Sequence, residues 1–93
     1  MIGAILTEFI GTFVFLSVIL STGQAIPIAI ALASVIFFGG NISGGHFNPA
    51  VSTMLLAKGA IKVDKWAVYI IAQVLGGLAA LWWFKFAAKG SKK

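Results

Sequence analysis

Gly39-Gly40-Asn41-Ile42-Ser43-Gly44-Gly45-His46-Phe47-Asn48-Pro49-Ala50-Val51-Ser52 is a glycine-rich polar island between two long apolar runs. It reads as a loop that runs into the start of a helix. Asn48 suits an N-cap, because its side-chain oxygen can accept from the free N–H groups of a first turn, and Pro49 suits the first helical position, where a missing N–H costs nothing. Residues Ala50 to Ala57 can continue that helix. Lys58-Gly59 closes it, with a cation near the negative end and a glycine that can turn the chain. About nine residues at 1.5 Å each span about 14 Å, half of a bilayer core about 30 Å thick. The spacing predicts a re-entrant half-helix whose positive N-terminus lies near the membrane midplane.

The composition sets the medium around this element. The chain has 93 residues, of which 60% are hydrophobic and 10% charged, with a mean hydropathy of +1.06. Such a balance excludes a soluble domain of this size and predicts an integral membrane protein, a single membrane domain over residues 1-93. The first apolar run begins at Met1-Ile2 without a basic leader and lasts about twenty residues, longer than the apolar part of a cleavable signal, so it is expected to remain as a span. The absence of cysteine excludes disulfides and thiolate metal sites. All seven lysines lie at or after Lys58. That basicity reads as membrane topology and contact with anionic headgroups. Nucleic acid is not an expected partner, because no basic patch is interleaved with stacking aromatics.

Working outward, residues 1-20 are expected to form the first spanning helix, on which Gly3, Thr7 and Gly11 recur every four residues as a stripe where another helix can pack closely. After the polar turn Ser21-Thr22-Gly23-Gln24, a second span is expected over about 25-39. Pro27 falls in its first turn, and Ala25, Ala29 and Ala33 repeat the small stripe. The loop and half-helix fill about 40-58. Asp64 can cap a third span over about 65-88, which carries Ala72, Gly76 and Ala80 at the same spacing, Gln73 as its uncharged polar interruption, and Trp82-Trp83 as an interfacial belt. A basic tail, 89-93, is expected in water.

The run from Ser43 to Ser52 resembles the first-repeat signature of the aquaporin and glycerol-facilitator family. Glu8 in Glu8-Phe9-Ile10-Gly11-Thr12-Phe13 and Gln73 in Ala72-Gln73-Val74-Leu75-Gly76-Gly77 fall where that family has them. The resemblance covers essentially the whole chain and implies an all-α membrane protein of three transmembrane helices plus one re-entrant half-helix. Family members carry two such repeats, related by an inverted pseudo-two-fold axis; this sequence has one. The resemblance therefore implies an inverted homodimer, in which each copy supplies one Asn48-Pro49-Ala50 half-helix to a passive pore for water or small neutral solutes such as glycerol, urea or ammonia. If the family's tetramer persists, eight chains make the assembly. No enzymatic activity and no cofactor follow from it.

The same resemblance assigns roles. The carbonyls of Gly44, Gly45, His46 and Phe47 would line the lumen, and Asn48 from each copy would donate to the passing molecule at the midplane. Facing half-helix N-termini would oppose protons and other cations. Folding the constriction of both repeats onto this one sequence gives Ile28, Ile36, Gly45 and Val51. No arginine is present, so the mouths would be apolar.

Glu8 is costly inside a membrane and admits two readings, a carrier of protons or cations and a brace accepting from exposed N–H groups of the loop. The family favours the brace, and the spans offer no second carboxylate for a relay; Gln73 is expected to brace as well. His46 is not expected to bind metal, because no cysteine or nearby carboxylate joins it. Lys58, Lys62 and Lys65 fall on the face from which the half-helix enters, and Lys85, Lys89, Lys92 and Lys93 on the other. That near balance predicts dual topology. The alternatives to a channel are a non-conducting membrane scaffold or partner subunit, proton-coupled transport through Glu8, and a fragment of a longer aquaporin. Against the last, Asp64, the Trp pair and the lysine tail read as a finished third helix and terminus.

Overall fold

A computed structural model describes residues 1–87 as four α-helices: α1 (Ile2–Thr22), α2 (Ala25–Ser43), α3 (Pro49–Lys58) and α4 (Val63–Trp82). A π-helical turn, Trp83–Ala87, extends α4. Three helices are long and apolar enough to cross a membrane: α1, α2, and α4 with its extension over Val63–Ala87. The expected end of the third span at Ala88 and the basic tail 89-93 lie outside the described residues.

Left-handed glycines close the first three helices. Gly23, Gly44 and Gly59 have φ of 60°, 93° and 86°, and each donates its N–H back to a carbonyl of the helix it ends. Gly44, rather than the Gly39-Gly40 pair, stops α2, which therefore continues past its expected end near residue 39 to Ser43. Gly39 and Gly40 stay helical because Gly39 sits at a contact with α1: a Cβ there would lie 2.8 Å from Thr7 Cγ2. At the start of α4 the cap is Lys62, not Asp64. Asp64 falls inside the first turn, where its charge suits the positive helix end and its Oδ1 accepts from the Lys65 N–H at 2.9 Å.

α1 is the central element. It packs against α2 on one side and α4 on the other, and α3 lies on α4. Small residues allow both approaches. At Gly76 of α4 a Cβ would stand 2.6 Å from the Phe9 carbonyl oxygen, so the two helix backbones touch there; Ala72 and Ala80 are buried on the same side. The Gly3-Thr7-Gly11 stripe of α1 faces α2 and the loop that follows it. The third stripe behaves differently. Ala25, Ala29 and Ala33 are exposed, because α2 meets α1 through Ala31 and Gly39 instead. Trp82 and Trp83 are also exposed, at the end of α4.

Candidate functional site

Residues Gly44 to Asn48 connect α2 to α3 without regular structure, and one side chain gathers their backbone. Glu8 has no exposed surface. Its Oε2 accepts from Ser43 Oγ (2.7 Å) and the His46 N–H (3.0 Å), and its Oε1 accepts from the Phe47 N–H (2.8 Å) and Gln73 Nε2 (2.9 Å). Four donors thus converge on two carboxylate oxygens, near the full acceptor capacity of the group. A buried carboxylate is tolerable only when its oxygens are so paired, and loop N–H groups at membrane depth need a partner in turn. Each half of the contact resolves the other's desolvation cost.

A second layer ties this knot to α3 and α4. Gln73 Nε2 also donates to Ser52 Oγ at 2.9 Å, and Ser52 Oγ lies 2.7 Å from His46 Nδ1. Ser52 accepts from Gln73, which leaves its own hydrogen free to donate to that ring nitrogen. Tyr69 Oη donates to the Ser43 carbonyl at 2.6 Å, satisfying one of the open carbonyls at the end of α2. The Tyr69 ring centroid lies 4.8 Å from that of His46 and 5.3 Å from Lys65 Nζ. Ser43 Oγ accepts from the Gly45 N–H at 3.1 Å. Ser43, Ser52 and Tyr69 are thus hydrogen-bonding partners around the loop that sequence reasoning left out.

Phe47 has two jobs. Its N–H is held by Glu8, and its backbone is left-handed, φ 52°, a conformation that non-glycine residues rarely adopt. The ring is 2% exposed and wedged between α1 and α2, in a space that exists because Gly11 and Gly39 lack side chains; a Cβ on Gly11 would overlap the ring. The Gly11 position of the small stripe therefore receives a loop residue rather than a helix.

The start of α3 carries the cap expected for it. Asn48 has an extended backbone, φ −162°, its Oδ1 accepts from the Ala50 N–H at 2.8 Å, and Pro49 occupies the first turn. Its Nδ2 keeps its hydrogens, and Asn48, Pro49 and Ala50 are exposed. Among the described residues, no hydrogen bond ends on the carbonyl oxygens of Gly44, Gly45, His46 or Phe47. Of the four constriction candidates, Gly45 and Ile36 meet: a Cβ on Gly45 would lie 3.6 Å from Ile36 Cγ2. Ile28 is about 12 Å further back along α2, eight residues at 1.5 Å each, and Val51 is in the first turn of α3. The four do not close a ring within one chain.

The chain is similar in sequence to known proteins. Residues 21–93 match the family profile described as major intrinsic protein. The chain is 44% identical to glycerol uptake facilitator protein-like 6 of Lactiplantibacillus plantarum, over 81% of this chain and 39% of that protein. It is 41% identical to aquaporin Z of Photorhabdus laumondii, over 62% and 25%, and 39% identical to aquaporin TIP2-1 of Arabidopsis thaliana, over 94% and 42%. No solved structure matches it. The chain spans about two fifths or less of the length of these relatives. With the profile covering more than half of its residues, the chain belongs to the major intrinsic protein family.

Proposed function

We propose that the chain is one half of a passive membrane channel for water or small neutral solutes, completed by a second copy in inverted orientation. The observation that carries this reading is the loop at Glu8. A buried carboxylate collects the N–H groups of His46 and Phe47 and leaves the carbonyls from Gly44 to Phe47 unpaired, followed by a capped half-helix with the Asn48 amide at its tip. Irregular backbone at membrane depth persists only where protein covers it or a water-filled cavity meets it. A row of free acceptors ending in a donor suits a file of hydrogen-bonding molecules.

One half-helix of ten residues covers about 15 Å, half the membrane, so a through path needs a second one from the opposite face. In the inverted pair each Asn48 donates at the midplane, and the paired N-termini repel cations there. The constriction then draws Ile28, Ile36, Gly45 and Val51 from both copies, with Glu8 and Gln73 bracing each loop, and insertion in both orientations supplies the partner. In the family's tetramer this makes eight chains.

Stopped-flow light scattering of proteoliposomes tests the reading. Vesicles holding the assembled protein are expected to shrink faster than empty ones after an osmotic step, and addition of glycerol or urea on the outside distinguishes solutes by the rate of reswelling. Shrinkage at the empty-vesicle rate, with the oligomer intact, favours the second reading. In that case the chain is a non-conducting scaffold, consistent with an apolar Ile36–Gly45 contact that can exclude water.

A further inference from the structure

A groove of about 250 Å³ runs along the seam of α1 and α4, between Ile5, Leu6 and Phe9 of one helix and Val68, Ile71 and Leu75 of the other. Ala72 forms its floor, buried and too small to fill it, while Leu6, Ile71 and Leu75 stand exposed as its rims. Neither Glu8, Gln73 nor the loop before α3 lines it. Ile71 and Leu75 each lie two residues from Gln73, about 200° around the helix, so the groove opens away from the loop that Gln73 braces. The two helices run in the same direction, because Gln73 meets Glu8, Gly76 meets Phe9 and Phe13, and Gly77 meets Leu16. From Gln73 back to Lys65 is eight residues, about 12 Å, and from Glu8 back to Ile2 six residues, about 9 Å. Asp64 and Lys65 are therefore level with the start of α1. With 21 residues, about 31 Å, α1 matches the bilayer core, so its start marks the headgroup layer.

Val68 follows Asp64 by four residues and Lys65 by three, so both charges sit one turn above it and flank the mouth of the groove. Neighbours in sequence do not face each other on a helix, and among the described residues neither side chain is in an ion pair. Asp64 Oδ1 accepts from the Lys65 N–H, which leaves Oδ2 to accept; Lys65 Nζ lies 5.3 Å from the Tyr69 ring centroid and keeps N–H donors for another partner. An acyl chain suits the apolar groove, and the mouth sets the headgroup: a phosphate for Lys65 and a primary ammonium for Asp64. A choline headgroup brings no N–H to the carboxylate, and a glycerol headgroup brings no cation. We propose that the outer α1/α4 seam binds an aminophospholipid, with its phosphate at Lys65, its ammonium at Asp64 and one chain along the groove. Lys58 and Lys62, at the same end of the chain's fold, attract anionic lipid without regard to headgroup chemistry. The site does not rest on the channel reading.

Native mass spectrometry of the detergent-solubilised protein, titrated with the dioleoyl lipids of phosphoethanolamine, phosphocholine or phosphoglycerol, tests the site. The wild type is expected to bind the ethanolamine lipid about fivefold tighter than the choline lipid, the factor that one charge contact at the surface supplies. Asp64→Asn keeps the acceptor for the Lys65 N–H and should bring the two lipids level. Lys65→Gln should weaken both by about fivefold, and Lys85→Gln, at the other end of the helix, should change neither. Equal binding of the two lipids by the wild type, or a preference that survives Asp64→Asn, overturns the proposal. Tightest binding of the glycerol lipid also overturns it and assigns a general attraction to the lysines. Glycerophosphoethanolamine, the same headgroup without chains, should not compete; competition at lipid-like concentrations removes the groove from the account. Should a variant fail to fold, the wild-type comparison decides, together with a density map of the protein in ethanolamine-lipid nanodiscs. A chain lying between Leu6 and Ile71 supports the site, and a helix of a neighbouring copy there overturns it. Failure of the channel reading shows separately, as shrinkage at the empty-vesicle rate, and leaves these affinities unchanged.

Discussion

Glu8→Gln preserves the volume and most of the shape of the side chain, and therefore isolates the carboxylate's role as an acceptor. In the wild type, Ser43 Oγ, the His46 and Phe47 N–H groups and Gln73 Nε2 all point at it, at 2.7 to 3.0 Å. A glutamine offers one oxygen in place of two. Whichever way the amide turns, two of the four donors keep an acceptor and two face an NH₂ group. Each buried donor left unsatisfied costs about 1–3 kcal/mol, so the substitution is expected to destabilise the fold by about 2–6 kcal/mol. The choice of flip matters little to the total but decides where the damage falls. With the amide nitrogen toward Ser43 and His46, the end of α2 loosens; with it toward Phe47 and Gln73, the seat of α3 on α4 does. Amide hydrogen exchange of the detergent-solubilised protein, read at His46 and Phe47 beside an equilibrium unfolding curve, measures both. The account predicts a lower unfolding midpoint with faster exchange at one or both amides. A midpoint within about 0.5 kcal/mol of wild type, with both amides as protected as before, would refute the idea that Glu8 holds the loop, because surface-like substitutions fall in that range.

Further outcomes follow from the same contacts. Gly11→Ala should overpack the Phe47 pocket and cost about 1–3 kcal/mol; pairing it with Phe47→Leu should recover part of that in a double-mutant cycle of unfolding free energies, whereas strict additivity would place the damage elsewhere. Ser52→Ala removes the atom shared by His46 and Gln73 and should destabilise by about 1–3 kcal/mol, and Tyr69→Phe, which frees only the Ser43 carbonyl, should cost about 1 kcal/mol by the same unfolding assay. Asn48→Ala should lose the cap of α3, about 0.5–2 kcal/mol, and weaken cation exclusion in vesicles with an imposed potassium gradient; unchanged stability would contradict its role as the cap.

The spanning helices were legible because nothing else accounts for such long apolar runs, and the half-helix because Asn48-Pro49 and Lys58-Gly59 are start and stop signals. Glu8 and Gln73 stood out as polar groups that a membrane interior does not tolerate without partners. Their hydroxyl partners did not. Ser43 and Ser52 are small enough to hide in any membrane helix, and Tyr69 reads as one more aromatic residue. Only the fold brings these three, from α2, α3 and α4, to the depth of a residue near the start of α1. The end of α2 was misread because Gly39-Gly40 looked like a loop. In a membrane helix, glycine is kept where a neighbour approaches closely, here Thr7 and the Phe47 ring. The signal that could have placed the end was Gly44, the glycine directly after the polar Ser43, as an αL cap. The Phe47 ring was legible only as an aromatic of ordinary packing, since its pocket is made by two glycines distant in sequence. The exposed Ala25-Ala29-Ala33 stripe shows the limit of periodicity, which finds a surface suited to packing but not which surface is used.

The central claim is that one pore takes two copies of opposite orientation. Moving the lysine balance tests it directly. One variant replaces Lys58, Lys62 and Lys65 with glutamine, and the other replaces Lys85, Lys89, Lys92 and Lys93, so that each inserts one way only and the two are opposite. Osmotic shrinkage of spheroplasts expressing either variant alone should match cells without the protein, while cells expressing both should shrink at the wild-type rate. Full conductance from one orientation by itself would contradict the account.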